Sequence, residues 1–381
     1  YQKLSVSISR VNDILENRLY EDEKFGNKTL NNIKGTIEFK KVYFSYPDED
    51  NILKDFNLEL EPNKKIAIVG SSGQGKSTLF NLITRIFDPN KGEIDIDGIN
   101  IKDLTEEDLR KNISIIRQEP FVFNRTIKEN FKIINDKITL SKIRECTKLA
   151  YLDDYIMSLP KKYDTVLGEG GVNLSGGQKQ RLSIARTLSK GSKIVLFDEA
   201  TSALDNKSQE YIKKTIDNLV KDHTIVIVAH RLSTIIDADI IFVVDNGKVV
   251  SSGTHNELLK TSDIVSIHCP LNEQTKGLIG EESFKLMKKE AILINVGRGG
   301  IVDEEALVEA LQNNEIAGAG LDVFEREPLA KESPLLQIND ASKLLMTPHI
   351  AWATVEARNR LFDLVVDNIQ GFLKGDLKNV C

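Results

Sequence analysis

Residues 70–78 read GSSGQGKST. Apolar Ile66-Ala67-Ile68-Val69 precedes them, and Leu79-Phe80-Asn81-Leu82-Ile83 follows with apolar residues at helical spacing. Strand, glycine-rich loop and helix therefore succeed one another, with the G-x-x-x-x-G-K-[ST] spacing complete. A polyphosphate carries several negative charges, so a loop that holds one must curl round it and present backbone N–H groups. Gly70, Gly73 and Gly75 permit that curl, because residues without a Cβ reach positive φ at little cost. Lys76 adds a mobile cation, Ser77 a hydroxyl suited to Mg²⁺, and the new helix directs its positive end at the anion. Ser71, Ser72, Gln74 and Thr78 complete the stretch assigned to the phosphates. A glycine-rich turn with a surface lysine is the plain alternative, and it leaves the flanking strand and helix unexplained.

Working outward, 381 residues leave room for two or three domains, and 40% apolar with 28% charged residues is ordinary for a globular protein. No stretch approaches 18 uninterrupted apolar residues, so none reads as a membrane span. The first 20 residues are polar and charged throughout, unlike a signal peptide, and the chain opens on Tyr1, which reads as a piece of something longer. Cys146, Cys269 and Cys381 stand far apart without C-x-x-C spacing, which fits a reduced cytosolic setting and neither a zinc site nor a disulfide framework. The net charge of −6 is uneven: residues 261–381 hold 12 Lys and Arg against 19 Asp and Glu, leaving 39 against 38 before them. That balance argues against nucleic-acid binding by the tail and hints at two units of different origin, and no nucleic acid is expected among the partners.

Leu4, Ile8, Val11 and Leu15 recur at helical spacing, so residues 3–18 read as an amphipathic helix and residues 21–32 as a linker. Strands are expected at 37–40, 42–46, 53–60 and 92–98, a short helix at 104–111, and a helical insertion over 126–160. The runs 193–198 and 224–229 are apolar and too short for helices, as strands buried on both faces of a parallel sheet would be. Asp245-Asn246-Gly247 turns a hairpin between 240–244 and 248–250, and Thr254 caps a helix to Lys260.

Four further features gather round the loop. Asp198 ends a buried strand and can face Mg²⁺, while Glu199 beside it can polarise a water for in-line attack. Leu174-Ser175-Gly176-Gly177-Gln178 opens a helix with a hydroxyl and two glycines, a second phosphate-type helix start. Gln118, after a strand at 113–116, is a neutral group suited to Mg²⁺ and water, and His230 is a lone polar group at another strand end. Each alone has an ordinary structural explanation. Together they lie on one edge, outside the carboxyl ends of the strands, where open α/β sheets bind ligands.

In this conjunction residues 33–260 resemble the nucleotide-binding domain of ATP-binding cassette (ABC) exporters, a P-loop NTPase fold with a helical subdomain. The resemblance implies an ATPase using ATP and Mg²⁺. It makes Tyr46 the adenine-stacking aromatic, residues 70–78 the Walker A loop and Gln118 the Q-loop, a metal and catalytic position. It makes Leu174–Gln178 the signature, with Ser175, Gly177 and Gln178 on the nucleotide. Ile194–Asp198 becomes Walker B, Glu199 the catalytic glutamate, Asp205 part of the D-loop and His230 the switch histidine. Residues 165–170 resemble the exporter loop that touches the transmembrane domain, and residues 1–32 the end of that domain's last helix with its linker. The family's partners are then a second nucleotide-binding domain, paired head to tail, and an ABC transmembrane domain. The parent transporter works at the cytoplasmic side of the membrane, and this chain alone reads as soluble and cytoplasmic.

After Lys260 the pattern changes. A strand over 263–268, helix 281–288, strand 291–296, helix 303–313, strands 318–324 and 343–347 and a long amphipathic helix 354–373 describe a second doubly wound α/β segment. Residues 261–381 resemble the C-terminal part of the NAD-binding domain of D-2-hydroxyacid dehydrogenases, nearest glycerate dehydrogenase/hydroxypyruvate reductase. The resemblance makes Arg298 the substrate-carboxylate arginine and places Asp322 at the nicotinamide. It makes His349 the catalytic base and Glu327 its partner. No G-x-G-x-x-G occurs in the chain, so NAD binding requires another chain to complete the sheet, and these four residues read as vestigial. The unpaired strand edge suggests a loosely packed tail. A fusion of two truncated proteins joined near Lys260 accounts for both halves. A non-transport ABC ATPase is the third class, but it calls for tandem cassettes or long coiled coils that this chain lacks.

Overall fold

The computed structural model describes residues 8, 11–12, 24–47, 50–71, 73–168, 171–198, 205–228 and 235–374. Its contacts divide the chain into two compact units, Tyr1–His230 with Phe242–Val250 and Arg231–Ile241 with Ser251–Cys381. Ile8, Val11 and Asn12, the described part of the expected first helix, are helical.

The first unit opens on an antiparallel sheet ordered β2-β1-β4-β5: β1 (Ile37–Phe44), β2 (Leu53–Leu60), β4 (Lys91–Ile96) and β5 (Ile99–Asn100). Alternation buries Ile37, Phe39, Val42 and Phe44 of β1, the period of a strand with one face on a core. A six-stranded sheet carries the loop: β3 (Lys65–Val69), β6 (Ile113–Ile116), β7 (Ile194–Asp198), β8 (Thr224–Val228), β9 (Ile240–Asp245) and β10 (Lys248–Gly253), ordered β10-β9-β3-β8-β7-β6. Strands β3, β8, β7 and β6 are mutually parallel. Their apolar runs are mostly buried, with Ile194, Val195, Leu196 and Phe197 at no more than 1% exposure, because such a sheet is covered on both faces. The register aligns Ile68 and Asp198 with the same residue, Val228, of the strand between them. One row of the sheet thus holds the end of β3 and the carboxylate of β7.

Helices α1 (Lys76–Ile83), α2 (Glu106–Asn112), α3 (Ile127–Lys132), α4 (Leu140–Leu149), α5 (Asp153–Ser158), α6 (Gly176–Lys190) and α7 (Asn206–Leu219) complete this unit. The expected helical insertion resolves into α3, α4 and α5. Thr126 and Thr139 cap the first two through their hydroxyls.

The second unit contains a parallel sheet ordered β11-β12-β13-β14: β11 (Ile264–Ile267), β12 (Ile292–Asn295), β13 (Gly318–Leu321) and β14 (Leu344–Met346). Its helices are α8 (His255–Thr261), α9 (Glu281–Leu286), α10 (Glu304–Gln312) and α11 (Val355–Lys374). The strand order runs one way from the edge, so no reversal of order, the usual cofactor crevice, occurs within the sheet. The tail is better packed than its missing half suggests. Phe284, Leu293, Ile301, Leu307 and Leu311 have no exposed area and share one core, which Leu259 of α8 joins. The open edge is where the sequence puts it: β11 pairs only with β12 among described strands, and Ile264 is 60% exposed.

Candidate nucleotide site and a second constellation

β3 brings the chain to the carboxyl edge of the six-stranded sheet, and Gly75 turns it into α1 from the left-handed region at φ 84°. The Lys76 ammonium then reaches back across the loop, donating to the carbonyl oxygens of Gly70 and Ser71 at 2.7 Å each. Its side chain is almost wholly buried. Such a cation, held by carbonyl dipoles at a helix start, is arranged to meet a phosphate. Gln74 accepts a 2.6 Å bond from the Asn246 backbone N–H, so the β9–β10 turn braces the loop.

The Ser77 hydroxyl donates to the Asp198 carboxylate at 3.2 Å, bringing together two groups 121 residues apart. A hydroxyl and one carboxylate are hard oxygen donors of the kind Mg²⁺ takes while keeping substrate oxygens in its other positions. The residues present therefore fit a nucleotide-bound Mg²⁺ held by Ser77 and Asp198. Tyr46 is half-buried, its ring edge-on to Phe44 and Phe87 at centroid distances of 5.0 and 5.2 Å. Its hydroxyl meets that of Thr78 at 3.2 Å and accepts from Asn81, tying the ring to α1.

Gln118 follows β6 and is exposed. The backbone beyond it is fixed by side chains that sequence reading does not single out. Asn130, with no exposed area, donates to the carbonyls of Phe123 and Thr126 and accepts the Phe123 N–H at 3.0 Å. Arg186 donates to the Phe121 carbonyl at 3.0 Å. The one sequence signal near them is the Thr126–Glu129 capping box that begins α3.

The second glycine-bearing helix start forms a separate group. Ser175 and Gln178 make a reciprocal capping box, the Ser175 N–H donating to the Gln178 side-chain Oε1 at 2.9 Å. Gly177 is buried against the start of α7, where a Cβ would stand 2.2 Å from the Ser208 hydroxyl oxygen. Asp205 caps α7, accepting from the Ser208 N–H and hydroxyl at 2.9 and 2.8 Å, and these bonds hold its carboxyl below the ordinary range. The structure thus groups Lys76, Ser77, Thr78, Tyr46 and Asp198, and separately Ser175, Gly177, Gln178 and Asp205. Ser72, Glu199 and His230 lie outside the described residues.

In the second unit His349 Nδ1 stands 2.8 Å from Glu327 Oε2, and this bond foremost draws the Glu327 carboxyl below its usual value. Burial pushes the Asp322 carboxyl upward, but the Thr347 hydroxyl and the N–H groups of Ala351 and Ile350 outweigh it and leave it lowered. Asn295 shapes the Arg298 loop, donating to the Arg298 carbonyl and accepting from Gly297 N–H, both at 3.0 Å. Beside it a cavity of about 550 Å³ is lined by His268, Cys269, Val296 and Arg298 among others. The four residues expected to serve hydride transfer are thus in ordered surroundings. A pyrophosphate loop is not among them, so they do not make a whole dinucleotide cradle.

Comparison with known proteins separates the same two stretches. Residues 53–202 match the family model of ABC transporters, and residues 244–351 that of the NAD-binding domain of D-isomer specific 2-hydroxyacid dehydrogenases. ABC transporter B family member 2 of Dictyostelium discoideum is 47% identical over 249 residues, 64% of this chain and 18% of that protein. ABC transporter B family member 21 of Arabidopsis thaliana is 45% identical over 235 residues, 61% of this chain and 18% of that protein. A bacterial Atm1-family ABC exporter solved with ATP bound superposes with a TM-score of 0.60 at 36% identity, covering 68% of this chain and 45% of the exporter's. The chain spans less than half the length of these relatives. It joins a stretch similar to ABC exporter nucleotide-binding domains to a stretch similar to the NAD-binding domain of D-isomer specific 2-hydroxyacid dehydrogenases.

Proposed function

We propose that residues 33–260 bind and hydrolyse ATP as the nucleotide-binding domain of an exporter, coupling turnover to a transmembrane domain carried elsewhere. The observation that carries this reading is the Ser77–Asp198 contact at 3.2 Å beside Lys76 on its loop carbonyls. That set would suit polyphosphate and Mg²⁺ at one sheet edge, and phosphoryl transfer depends chiefly on positioning and charge. Bound Mg²⁺ supplies charge neutralisation between the phosphates. Within the chain, Lys76 offers the cation, Tyr46 an aromatic ring on which the adenine stacks, and Gln118 a neutral group for metal and water. Glu199, next in sequence to Asp198, serves to orient the attacking water, and His230 to contact the terminal phosphate. Ser175 and Gly177 complete the site of a second copy, as the resemblance to exporter nucleotide-binding domains implies. Residues 1–32 then belong to the end of a transmembrane domain, and residues 261–381 to a partial NAD-binding domain fused after Lys260.

The test separates binding from turnover. Glu199→Gln should keep ATP affinity and lower phosphate release by about 100-fold or more, whereas Lys76→Ala should weaken ATP binding itself. Near-normal phosphate release by the Glu199 variant overturns its assignment, and unaltered ATP affinity of the Lys76 variant overturns the site.

A further inference from the structure

We infer that Asn246 is a site of self-modification: its side-chain amide cyclises onto the main chain at Gly247, leaves aspartate or isoaspartate in its place, and so unfastens the phosphate loop. Asn246-Gly247 is the one Asn-Gly pair in the sequence. It makes the two-residue turn between β9 and β10, with both residues left-handed at φ 47° and 72°. The fold holds the pair in place. Left-handed backbone favours Asn and Gly, and a Cβ on Gly247 would stand 2.2 Å from the Ile52 carbonyl oxygen. The same turn joins separate pieces of the first unit. The Asn246 N–H donates to Gln74 Oε1 of the phosphate loop at 2.6 Å, and the Gly247 carbonyl accepts from the Lys54 N–H of β2 at 3.1 Å.

The chemistry needs only water. Asn246 is exposed, and its Nδ2 donates to the Asp245 carboxylate at 2.8 Å, which ties the amide to the turn. A turn of this kind is closed between its flanking residues, Asp245 and Lys248, and does not call on the Gly247 N–H. Once that nitrogen gives its proton to a base in solution, it attacks Asn246 Cγ, and glycine has no Cβ to hinder the approach. The Cγ–Nδ2 bond breaks, and the departing nitrogen takes a proton from water and leaves as ammonia. Water then opens the cyclic imide at either carbonyl, giving aspartate or isoaspartate, and nothing is oxidised or reduced. Either product sets a new carboxylate beside that of Asp245. In isoaspartate the main chain is longer by a carbon and no longer fits a two-residue turn, so the N–H that holds Gln74 is displaced. That the loop takes phosphate rests on the function proposed above, whereas the chemistry at Asn246 does not.

The experiment ages the full chain in mildly alkaline buffer and follows residue 246 by peptide mapping that separates the aspartyl and isoaspartyl forms. A synthetic peptide of residues 244–249 gives the rate without the fold. Conversion at Asn246 ahead of every other asparagine is the expected result. It should trail the peptide, because the turn must open locally for the ring to close. It should slow in mildly acidic buffer, because the attacking nitrogen must first lose its proton. Amide exchange across residues 70–75 should quicken by up to about tenfold in the converted chain, the worth of one hydrogen bond. Asn246→Gly keeps the main-chain N–H and the left-handed turn but has no amide to cyclise, and should show neither change on ageing. No conversion in the folded chain while the peptide converts fully, or conversion with unchanged exchange at 70–75, overturns the inference. Affinity for an ATP analogue with Mg²⁺ should fall as exchange quickens. Quickened exchange with that affinity unaltered sustains the inference and counts against the phosphate-loop reading instead.

Discussion

The two units carry their chemistry on different kinds of support. In the first, Ser77 and Asp198 meet because β3, β8 and β7 are fully paired neighbours, each strand buried from both faces. In the second, His349 and Glu327 meet across a loop outside a four-stranded sheet whose edge strand exposes Ile264. The core beneath is closed in both. What differs is the periphery: α11 leaves Phe362, Phe372 and Leu373 between 69% and 77% exposed. A residue cluster needs only its local core to keep its geometry, whereas a cofactor cradle needs the sheet to continue past β11. Among the described residues the second unit has the former, and its sheet ends at β11.

The largest effect expected from that difference is an absence. Purified chain should oxidise no NADH with hydroxypyruvate or glyoxylate, although Arg298, Asp322, Glu327 and His349 are in place. Hydride transfer needs cofactor and substrate held in register, and a misplacement of ~1 Å can cost about 100-fold. Loss of NADH absorbance that His349→Ala abolishes would erase the contrast and make the protein bifunctional.

Next comes the independence of the cores. Phe284 is fully buried among Leu259, Met287 and Leu293, so Phe284→Ala should cost the second unit about 3–5 kcal/mol. Trp352, the chain's one tryptophan, lies in this unit, so its fluorescence is the probe for this unit. Binding of an ATP analogue reports the first unit and should keep its denaturant midpoint. A parallel fall in both midpoints would mean that the two cores unfold as one.

Much of this architecture is legible in the sequence, and the exceptions have a common cause. The loop, β2, β8 and the Asp245-Asn246-Gly247 turn stand where period and turn chemistry put them, since each rests on local residue types. The tail strands lie within a few residues of their expected ends, and the helix at 354–373 is α11. Thr254 and Glu257 mark the start of α8 through a capping box, but the pattern cannot say which core the helix serves. Reading the chain in order gives it to the first unit, while Leu259 packs in the second. Asn130 and Arg186 are illegible for the same reason: their partners are backbone carbonyls set by tertiary packing.

A smaller effect concerns the two helix starts in the first unit. Gly177→Ala places a Cβ 2.2 Å from the Ser208 hydroxyl and 2.7 Å from Ser208 Cβ, an overpacking of about 1–3 kcal/mol. Ser208→Gly alone also destabilises, because its hydroxyl serves Asp205 and Arg181. The double variant should lose less than the two single losses combined, with the midpoint of ATP-analogue binding as readout. Additive losses would mean that α6 and α7 shift apart freely, and the packing of Gly177 would then not explain its glycine.

The smallest effect tests whether the dehydrogenase-like pair holds its unit together. His349 and Glu327 are both more than a third exposed, so their 2.8 Å contact counts as a surface pair worth less than about 1 kcal/mol. Glu327 is depressed in the folded state, so its contribution is present above the ordinary carboxyl value and lost as pH falls through the folded one. Glu327→Gln should therefore shift the Trp352 midpoint only slightly at pH 7 and flatten its decline in acid below about pH 4. ATP-analogue binding by the first unit should not change. A loss approaching that of Phe284→Ala would give the pair a structural purpose and account for its retention without catalysis. A slight loss leaves the pair as chemistry standing on a core that does not need it, the reverse of Asp198, whose strand is the core itself.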